Sequence, residues 1–458
     1  MSLIKSISGI RGTIGGAPTE NLTPIEITSF AAAYAFFIKK RFEKATIVIG
    51  RDGRSTGEAI KNIVINTLIM SGLDVLDLDY STTPTVEMIV MLENAQGGII
   101  ISASHNPMNW NALKLLNDKG EFLSKEEGEF LIKSIENSDY SFVSFDNFGK
   151  IGHIKDAIQR HVQSIVNLDI LDIPLIKSKK YKVVVDPVNS TGALAMPVLL
   201  DALGCDYTII NGDINGVFNH NAEPKPENLG ELCDYIKDHK ANLGVAVDPD
   251  VDRLALVDEN GVFIGEEYTI VVAADFILSK EKGNTVSNLS SSRALRDITH
   301  TYHGEYSASA VGEVNVVQMM RDTNAVIGGE GNGGVIYPGL HYGRDGLLGV
   351  AFALNLMAER GQTLSELKAS YNPYVIVKDK IELAPEVDVD GLIKSLESQY
   401  TNKETNTVDG LKIEFDDGWV HLRKSNTEPI IRVYAESVNK ERAEQLAQTI
   451  KNKALCLI

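Results

Sequence analysis

The sequence predicts an α/β protein of several domains, in which three domains of similar plan precede a smaller α+β domain at the C-terminus. Three segments share the order strand, small polar turn and helix start, which is the opening of a βα layer unit. They are residues 45–57, 181–192 and 284–295. From residue 375 the pattern changes to a strand at 375–381, a helix at 389–400, strands within 409–435 and a helix at 438–454. With 458 residues, the chain also exceeds one core at roughly 100–200 residues per domain.

Turn-rich stretches predict the domain boundaries. Residues 136–153 are polar and rich in turn formers, and residues 258–266 form a turn-rich bridge. We therefore predict domains at residues 1–150, 151–257, 258–370 and 371–458. No stretch has the composition of a flexible linker, so we expect the domains to pack around a shared cleft.

Composition and charge exclude several classes of partner. The chain carries 44 basic and 62 acidic residues, a formal net charge of −18, which argues against nucleic acid and anionic membrane surfaces. A small phosphorylated ligand stays compatible, because a few local arginines suffice to bind it. Cys205, Cys233 and Cys456 match neither a disulfide framework nor zinc spacing. The N-terminus lacks the apolar core of a signal peptide and no apolar run could span a bilayer, so we expect a cytoplasmic protein.

An acidic loop is the strongest chemical signal. Asp248, Asp250 and Asp252 alternate with uncharged residues, and Arg253 follows at once. In an extended backbone residues i, i+2 and i+4 point to one face, so we expect the three carboxylates to converge on a hard, oxygen-seeking cation. Two alternatives stay open, an EF-hand loop and a solvated acidic loop. The first would need a glycine where Arg253 stands, and the second would not need the apolar strands on both sides.

A second signal is a cluster of small and polar residues that follows a buried strand, Ser102 to Pro107. A serine at such a strand end, here Ser104, can act as a nucleophile or carry a covalent group. His105 beside it can exchange protons, and Lys114 downstream could hold a phosphate or assist a proton transfer. The alternative is a serine that only caps a helix or closes a turn. No Gly-x-Ser-x-Gly hydrolase motif accompanies it.

Two further loops carry ligand-binding chemistry. Residues 423–429 place arginine, lysine and hydroxyl groups between two strands, which suits a phosphate, and the alternative is a polar hairpin loop. Residues 328–334 set one acid and one amide among five glycines, so that the loop can approach sugar hydroxyls, and the alternative is a flexible glycine loop. Arg11 and Arg344, each framed by glycines, could contact an anion or form structural ion pairs.

Taken together, these motifs resemble the α-D-phosphohexomutase family, which includes phosphoglucomutases, phosphomannomutases and phosphoglucosamine mutases. The resemblance runs from Ser8 to about Tyr434, with the motifs in the family's order. The family's phosphoserine loop corresponds to residues 102–107. Its metal loop usually reads Asp-Gly-Asp-Gly-Asp-Arg; this chain keeps the acids and the arginine, with Pro249 and Val251 in place of the glycines.

The family's sugar and phosphate loops are matched with substitutions. In the sugar loop, usually Gly-Glu-x-Ser-Gly-His, Asn332 stands for the serine and Gly334 for the histidine. In the phosphate loop, usually Arg-Pro-Ser-Gly-Thr, Lys424 and Asn426 replace the proline and the glycine. The residues kept in the two loops are Glu330, Arg423, Ser425 and Thr427.

The resemblance implies a fold and a reaction. The fold is α/β, with four domains around a central cleft: three similar α/β domains with mixed sheets and a C-terminal α+β domain. They would carry, in order, the phosphoserine, metal, sugar and phosphate loops. The reaction interconverts hexose 6-phosphate and 1-phosphate through a phosphoserine and a 1,6-bisphosphate intermediate. The implied cofactors are one Mg²⁺ per chain and a hexose 1,6-bisphosphate activator.

The residues that the resemblance implies fall into three groups. The catalytic group is Ser104, His105, Lys114, Arg11 and Arg253. The metal group is Ser104, Asp248, Asp250 and Asp252. The substrate-binding group is Glu330, Asn332, Gly312, Arg423, Ser425, Asn426, Thr427 and Arg432.

The implied substrate is a small sugar phosphate, and we favour glucosamine phosphate. Residues 101–107 resemble bacterial phosphoglucosamine mutases, whereas residues 110–116 and 329–334 resemble archaeal-type members assigned to glucosamine, mannose or glucose phosphates. A phosphomannomutase or phosphoglucomutase of the same mechanism is therefore an alternative. A metal-dependent sugar phosphatase and a non-catalytic sugar-phosphate-binding protein are further alternatives. We expect a monomer or homodimer without nucleic-acid or membrane partners.

Overall fold

Four β-sheets follow one another along the chain, and helices cover them. The computed structural model describes residues 2–6, 8–384, 387–425 and 430–457. The predicted fold class is confirmed: three α/β regions with mixed sheets precede a C-terminal region with an antiparallel sheet. Within these ranges, every helix falls short of the length and apolar character that a membrane crossing needs.

The first region has a seven-stranded sheet. Its strands are β1 (Ile4–Ser6), β2 (Gly9–Thr13), β3 (Thr46–Arg51), β4 (Asp74–Tyr80), β5 (Gly97–Ile101), β6 (Trp110–Leu116) and β7 (Ile151–His153). Its helices are α1 (Pro24–Lys39), α2 (Gly57–Met70), α3 (Thr83–Leu92) and α4 (Lys125–Asn137). The strand order is β1-β2-β6-β5-β3-β4-β7. The four strands from β5 to β7 in this order are parallel, and β1, β2 and β6 pair antiparallel.

The second region has a four-stranded sheet in the order β11-β10-β8-β9, with strands β8 (Lys182–Asp186), β9 (Asp206–Ile209), β10 (Leu243–Val247) and β11 (Leu254–Val257). Its helices are α5 (Ala157–Val166), α6 (Ile173–Lys179), α7 (Gly192–Ala202) and α8 (Gly230–His239). Only β11 pairs antiparallel.

The third region repeats this plan in the order β13-β12-β14-β15, with strands β12 (Asn284–Asn288), β13 (Tyr306–Ser309), β14 (Ala325–Glu330) and β15 (Gly334–Ile336). Its helices are α9 (Glu266–Lys280), α10 (Arg293–Thr301), α11 (Glu313–Thr323), α12 (Gly346–Arg360) and α13 (Leu364–Ser370). Only β15 pairs antiparallel.

The fourth region is an antiparallel sheet in the order β16-β20-β19-β18-β17. Its strands are β16 (Val375–Glu382), β17 (Thr405–Asn406), β18 (Leu411–Phe415), β19 (Gly418–Lys424) and β20 (Ile430–Ser437). Its helices are α14 (Val389–Glu397) and α15 (Lys440–Leu455). The helix predicted at 389–400 ends at Glu397, and a 3₁₀ turn continues to Tyr400.

The three α/β regions share one topological unit. In each, an antiparallel strand lies beside three parallel strands: β6-β5-β3-β4, β11-β10-β8-β9 and β15-β14-β12-β13. The predicted βα repeats begin at β3, β8 and β12, which hold the same place in the three units. The loop from the parallel strand to its antiparallel neighbour is therefore equivalent in all three. These loops carry the serine cluster, the acidic loop and the glycine loop.

The cores divide the molecule unevenly. The second and third regions share one large hydrophobic core, in which α12 is buried almost all round and packs against α5, α6, α7 and α9. The first and fourth regions have cores of their own. The fourth region reaches the third through polar contacts, such as Lys378 Nζ with Glu266 at 2.6 Å and Ser290 Oγ with His421 at 3.0 Å. The boundaries at residues 150, 257 and 370 stay a prediction, and the first sheet includes β7 just beyond residue 150.

Candidate active site

A cleft of about 740 Å³ is lined by residues of all four regions. The serine loop, the glycine loop and strands β16, β19 and β20 all contribute residues to its lining. The predicted site residues along the cleft wall are Arg11, Ser104, His105, Lys114, Arg253, Gly312, Glu330, Asn332, Arg423 and Arg432. Residues from four separate parts of the sequence therefore meet in one cavity.

Ser104 is held in a strained, well-anchored turn. Its φ angle is +50°, in the left-handed region that non-glycine residues rarely enter. Its N–H donates to Ser102 Oγ at 2.9 Å, and Arg54 Nη2 donates to its carbonyl oxygen at 2.7 Å. Its hydroxyl donates to Asp248 Oδ2 at 2.6 Å. The serine is thus aimed at the acidic loop of the next region, which a simple turn-closing serine would not need.

The three aspartates of the acidic loop converge behind Ser104. Asp248, Asp250 and Asp252 are each fully buried, and one oxygen from each lies within 4.8 Å of the others. The expected extended backbone is wrong, because the segment is a turn between β10 and β11, with Val251 at φ +62°. Val251 is itself fully buried. The carboxylates meet because the turn folds them together, and strand alternation does not explain it.

Basic side chains neutralise this cluster unequally. Lys114 Nζ donates to Asp250 Oδ2 at 2.6 Å and to Asp252 Oδ2 at 3.0 Å. Burial alone would raise the pKa of Asp252, but Arg344, Lys114 and Arg253 outweigh it and hold that pKa below its ordinary range. Burial, together with Asp252 and Asp250, raises the pKa of Asp248 well above its ordinary range. Asp252 is therefore the better neutralised of the two, and Asp248 would gain more from a further cation.

The remaining oxygens suit a hard divalent cation. Oδ1 of Asp250 and Oδ1 of Asp252 are buried and accept no hydrogen bond from the described residues. An unpaired buried carboxylate oxygen is costly, and Mg²⁺ and Ca²⁺ bind such oxygens. The Asp triad could thus hold a metal ion. An EF-hand is excluded, since the flanking elements are strands rather than helices.

Arg11, His105 and Arg253 surround the exposed side of Ser104. His105 Nδ1 lies 3.3 Å from Ser104 Oγ. Burial, with help from Arg253, lowers the pKa of His105 to about 3, so this imidazole is neutral near pH 7. Arg11 Nη1 donates to Asn106 Oδ1 at 3.5 Å, and Arg11 forms no ion pair with a carboxylate in the described ranges. Of the two interpretations of Arg11, the anion contact is favoured.

The glycine loop is tied into a network of carboxylates. Glu330 Oε1 accepts from Asn288 Nδ2 at 2.9 Å and from the N–H of Gly312 at 3.1 Å, and Glu330 Oε2 accepts from Arg344 Nη1 at 3.0 Å. Asn332 Oδ1 is buried without a partner among the described residues. The loop is thus fixed by its neighbours, and Asn332 keeps an acceptor for a ligand.

Arg344 connects the glycine loop to the acidic loop. Besides Glu330, its guanidinium donates to Glu313 Oε2 and to Asp252 Oδ2, each at 2.8 Å. Of the two interpretations of Arg344, the structural ion pair is therefore the one that the structure supports. In the sequence, only the glycines on either side marked this arginine. Glu313, Lys378, Glu266 and Glu267 also line the cleft. No motif marked these four residues in the sequence.

The described part of the predicted phosphate loop begins at the end of β19, where Arg423 lines the cleft. Arg423 on β19 and Arg432 on β20 stand directly opposite each other in the ladder. Like charges in that position repel, so an anion beside them would be stabilising. Arg423 Nε also pairs with Asp409 Oδ2 at 2.8 Å. Ser425 is buried, and its N–H donates to the Ile430 carbonyl at 3.0 Å; Asn426 and Thr427 lie outside the described residues.

Comparisons with known proteins cover the whole chain. Models of the phosphoglucomutase/phosphomannomutase family match in order: α/β/α domain I at residues 3–141, domain II at 159–261, domain III at 265–374 and the C-terminal domain at 374–453. A protein of Thermococcus kodakarensis named phosphoglucomutase/phosphomannomutase is 34% identical over 95% of this chain and 96% of its own length. A Methanopyrus kandleri protein named probable phosphoglucosamine mutase is also 34% identical, over 96% of this chain and 95% of its own.

A solved structure agrees with the sequence comparisons. The crystal structure of a phosphoglucomutase/phosphomannomutase family protein from Burkholderia thailandensis superposes with a TM-score of 0.84 at 25% identity. The match covers 99% of this chain and 98% of that one. The order and packing of the four regions are therefore those of that structure.

Proposed function

Since this chain belongs to the phosphoglucomutase/phosphomannomutase family, we propose that it moves a phosphoryl group between the 6- and 1-oxygens of a hexose by way of Ser104. The chain is an enzyme of the phosphohexomutase kind, an isomerase by overall reaction. The observation that carries the mechanism is the hydrogen bond from Ser104 to Asp248 across two domains. It holds a nucleophilic hydroxyl beside a triad of buried acids.

Each half-reaction exchanges one oxygen–phosphorus bond for another. With a phosphate on Ser104, the free hydroxyl oxygen of a hexose monophosphate attacks phosphorus, and the Ser104 Oγ–P bond breaks. A hexose 1,6-bisphosphate forms and turns around in the cleft. Its other phosphate then returns to Ser104 by the reverse step. Phosphoryl transfer of this kind depends mainly on positioning and charge neutralisation.

The proton of the attacking hydroxyl needs an acceptor near Ser104. His105 is neutral near pH 7 and lies beside Ser104 Oγ, so it has a lone pair for the proton. With a pKa of about 3 it is a weak base and would hold that proton only transiently. Lys114 is the other proton-transfer residue in the proposal. Its ammonium form is favoured, because Asp250 and Asp252 outweigh the effect of burial and raise the pKa of Lys114. Lys114 would take part in proton transfer only after another cation had replaced it at the carboxylates of Asp250 and Asp252.

The cations of the site have separate tasks. Arg11 and Arg253 would stabilise negative charge on the transferring phosphoryl group. Mg²⁺ held by Asp248, Asp250 and Asp252 would add a Lewis acid beside the phosphate of Ser104. Lys114 would compete with that ion for the same carboxylates. A hexose 1,6-bisphosphate would serve as activator, because it can phosphorylate an empty Ser104.

The non-reacting end of the substrate would bind on the far side of the cleft. Arg423, Ser425, Asn426, Thr427 and Arg432 would hold the second phosphate, with the facing arginines supplying its charge complement. Glu330, Asn332 and the N–H of Gly312 would contact the sugar. Because the fourth region has a core of its own, it could open while the bisphosphate turns.

We propose glucosamine 6-phosphate and glucosamine 1-phosphate as the substrate pair. Several archaeal relatives, among them the Methanopyrus kandleri protein, are named phosphoglucosamine mutases. The phosphoglucomutase/phosphomannomutase name of the Thermococcus kodakarensis relative keeps glucose and mannose phosphates as the alternative. The proposal further places the enzyme in the cytoplasm, as a monomer or homodimer without nucleic-acid or membrane partners.

Ser104→Ala tests the proposal. With Mg²⁺ and bisphosphate activator, the wild type should interconvert glucosamine 6- and 1-phosphates, and the variant should lose this isomerisation while its circular dichroism stays unchanged. Ser102→Ala, two residues away in the same loop, is the matched control and should keep a measurable rate. Release of inorganic phosphate without isomer would instead identify a phosphatase. Full isomerisation by Ser104→Ala would refute the role of Ser104.

A further inference from the structure

Four carboxylates of the third region line the cleft, and one of them differs from the others in its partners. Glu330 and Glu313 are both paired with the guanidinium of Arg344, at 3.0 and 2.8 Å. Glu267 also lines the cleft, but it forms no ion pair with any residue of the described ranges. Its neighbour Glu266 takes the nearest lysine, Lys378, at 2.6 Å.

Glu267 is rigidly placed against the sugar loop. It lies in the first turn of α9, a helix that is buried along most of its length. Glu267 Oε2 accepts from the N–H of Ser292 at 2.9 Å, and Oε1 accepts no hydrogen bond from the described residues. A Cβ on Gly331 would collide with this carboxylate, so Glu267 sits directly on the residue between Glu330 and Asn332. A ligand that contacts Gly331 from the cleft would therefore lie close to Glu267.

A carboxylate in this position would be stabilised by a cation. Glu267 is half-buried in the wall of the cleft. Desolvation raises its pKa well above the ordinary range, and the nearby charge of Lys378 offsets this only in part. Arg344 supplies the opposite charge for Glu313 and Glu330 within the protein. For Glu267, a cationic group on a ligand in the cleft would supply it.

We propose that Glu267 binds the ammonium group of a 2-amino sugar phosphate and so gives the enzyme its preference for amino sugars over neutral hexoses. This inference rests on the proposed mutase function. Glucose and mannose phosphates carry a hydroxyl at the same carbon, which can accept or donate a hydrogen bond but cannot neutralise the carboxylate. The amino sugar alone supplies both a hydrogen-bond donor and the missing positive charge.

The test is Glu267→Gln, which keeps the shape and removes the charge. For glucosamine 1-phosphate, kcat/KM should fall about tenfold, the effect of breaking a half-buried charge pair at a binding site. For glucose and mannose 1-phosphates it should stay within about threefold, so the amino-sugar preference should collapse. The preference is the ratio of two kcat/KM values measured on the same variant. A loss of folded protein lowers both values by the same factor and leaves the ratio unchanged. Glu267→Asp should restore part of the preference.

Glu266→Asp is the matched control. It alters the adjacent residue of the same helix turn but keeps the negative charge that pairs with Lys378. It should change the rates for all three sugars by a similar factor and leave the preference intact. Equal losses for all sugars in Glu267→Gln would overturn the inference, as would a wild type that isomerises glucose phosphate but not glucosamine phosphate. A wild type that isomerises no hexose phosphate would instead overturn the proposed mutase function.

Discussion

Replacing Arg344 by methionine removes a cation that links the acidic loop to the glycine loop. Its guanidinium is about nine-tenths buried and pairs with Asp252, Glu313 and Glu330 at 2.8, 2.8 and 3.0 Å. Breaking a buried ion pair by removing one partner costs about 3–5 kcal/mol. Asp252 keeps Lys114, and Glu330 keeps two N–H donors. Burial raises the pKa of Glu313 to about 8, so that this carboxyl can bind a proton when Arg344 is removed. We therefore expect a loss near the lower limit, about 3 kcal/mol.

Urea unfolding followed by far-UV circular dichroism measures this loss. Tryptophan fluorescence is unsuitable, because the two tryptophans, Trp110 and Trp419, lie in the first and fourth regions. Arg344 lies in the third region, between β15 and α12. Arg41→Met is the control, since its pairs with Asp118 and Glu127 are exposed and should contribute less than about 1 kcal/mol.

The pH dependence of this loss follows from Asp252. Arg344 helps hold the pKa of Asp252 below its ordinary range, so its stabilising effect is complete above the unfolded pKa of about 4 and disappears as the pH falls further. The difference in unfolding free energy between wild type and Arg344→Met should therefore be largest at pH 7 and should decrease below about pH 4. A loss at pH 7 no larger than that of Arg41→Met would refute the view that Arg344 neutralises the buried acids.

The other predictions concern the metal and the proton. Lys114→Met should tighten Mg²⁺ binding by about tenfold, or ~1.4 kcal/mol, because Lys114 occupies oxygens of Asp250 and Asp252; an unchanged Kd in calorimetric titration would contradict this competition. His105→Gln should lower kcat by about 10²-fold or more if this imidazole accepts the proton. His105 has a pKa of about 3, so it becomes charged only well below pH 5. The pH profiles of kcat/KM for wild type and His105→Gln should therefore have the same shape from pH 5 to 8.

Local patterns carried much of the fold. The βα repeats at 45–57, 181–192 and 284–295 fall at equivalent strands of three similar units, because alternation of apolar strand, small turn and helix start is a local property of the chain. Sheet order could not be derived in this way. The pairing of β5 with β3 and of β12 with β14 joins segments far apart in sequence, and residue types alone do not specify such partners.

In the candidate site, too, the sequence predicted the residues that are clustered locally and missed those that come together only in the fold. The acids at 248, 250 and 252 and the serine cluster stood out because their chemistry is concentrated within a few residues. The reason given for the convergence of the acids was wrong, since the backbone turns at Val251 with a positive φ. Glu267 and Lys378 carried no signal at all. Their role depends on which other chain segment they face, and only the packing of α9 and β16 against the cleft decides that.

The phosphorylation state of Ser104 is the most direct measure of the central claim. The purified protein is incubated with Mg²⁺ and a hexose 1,6-bisphosphate, quenched in acid, and analysed by intact mass and by peptide mapping. We expect one phosphate per chain, located on Ser104. When hexose monophosphate is then added, this phosphate should be transferred to the sugar. An enzyme that isomerises hexose phosphates while Ser104 stays unmodified, or carries its phosphate on another residue, would contradict the mechanism.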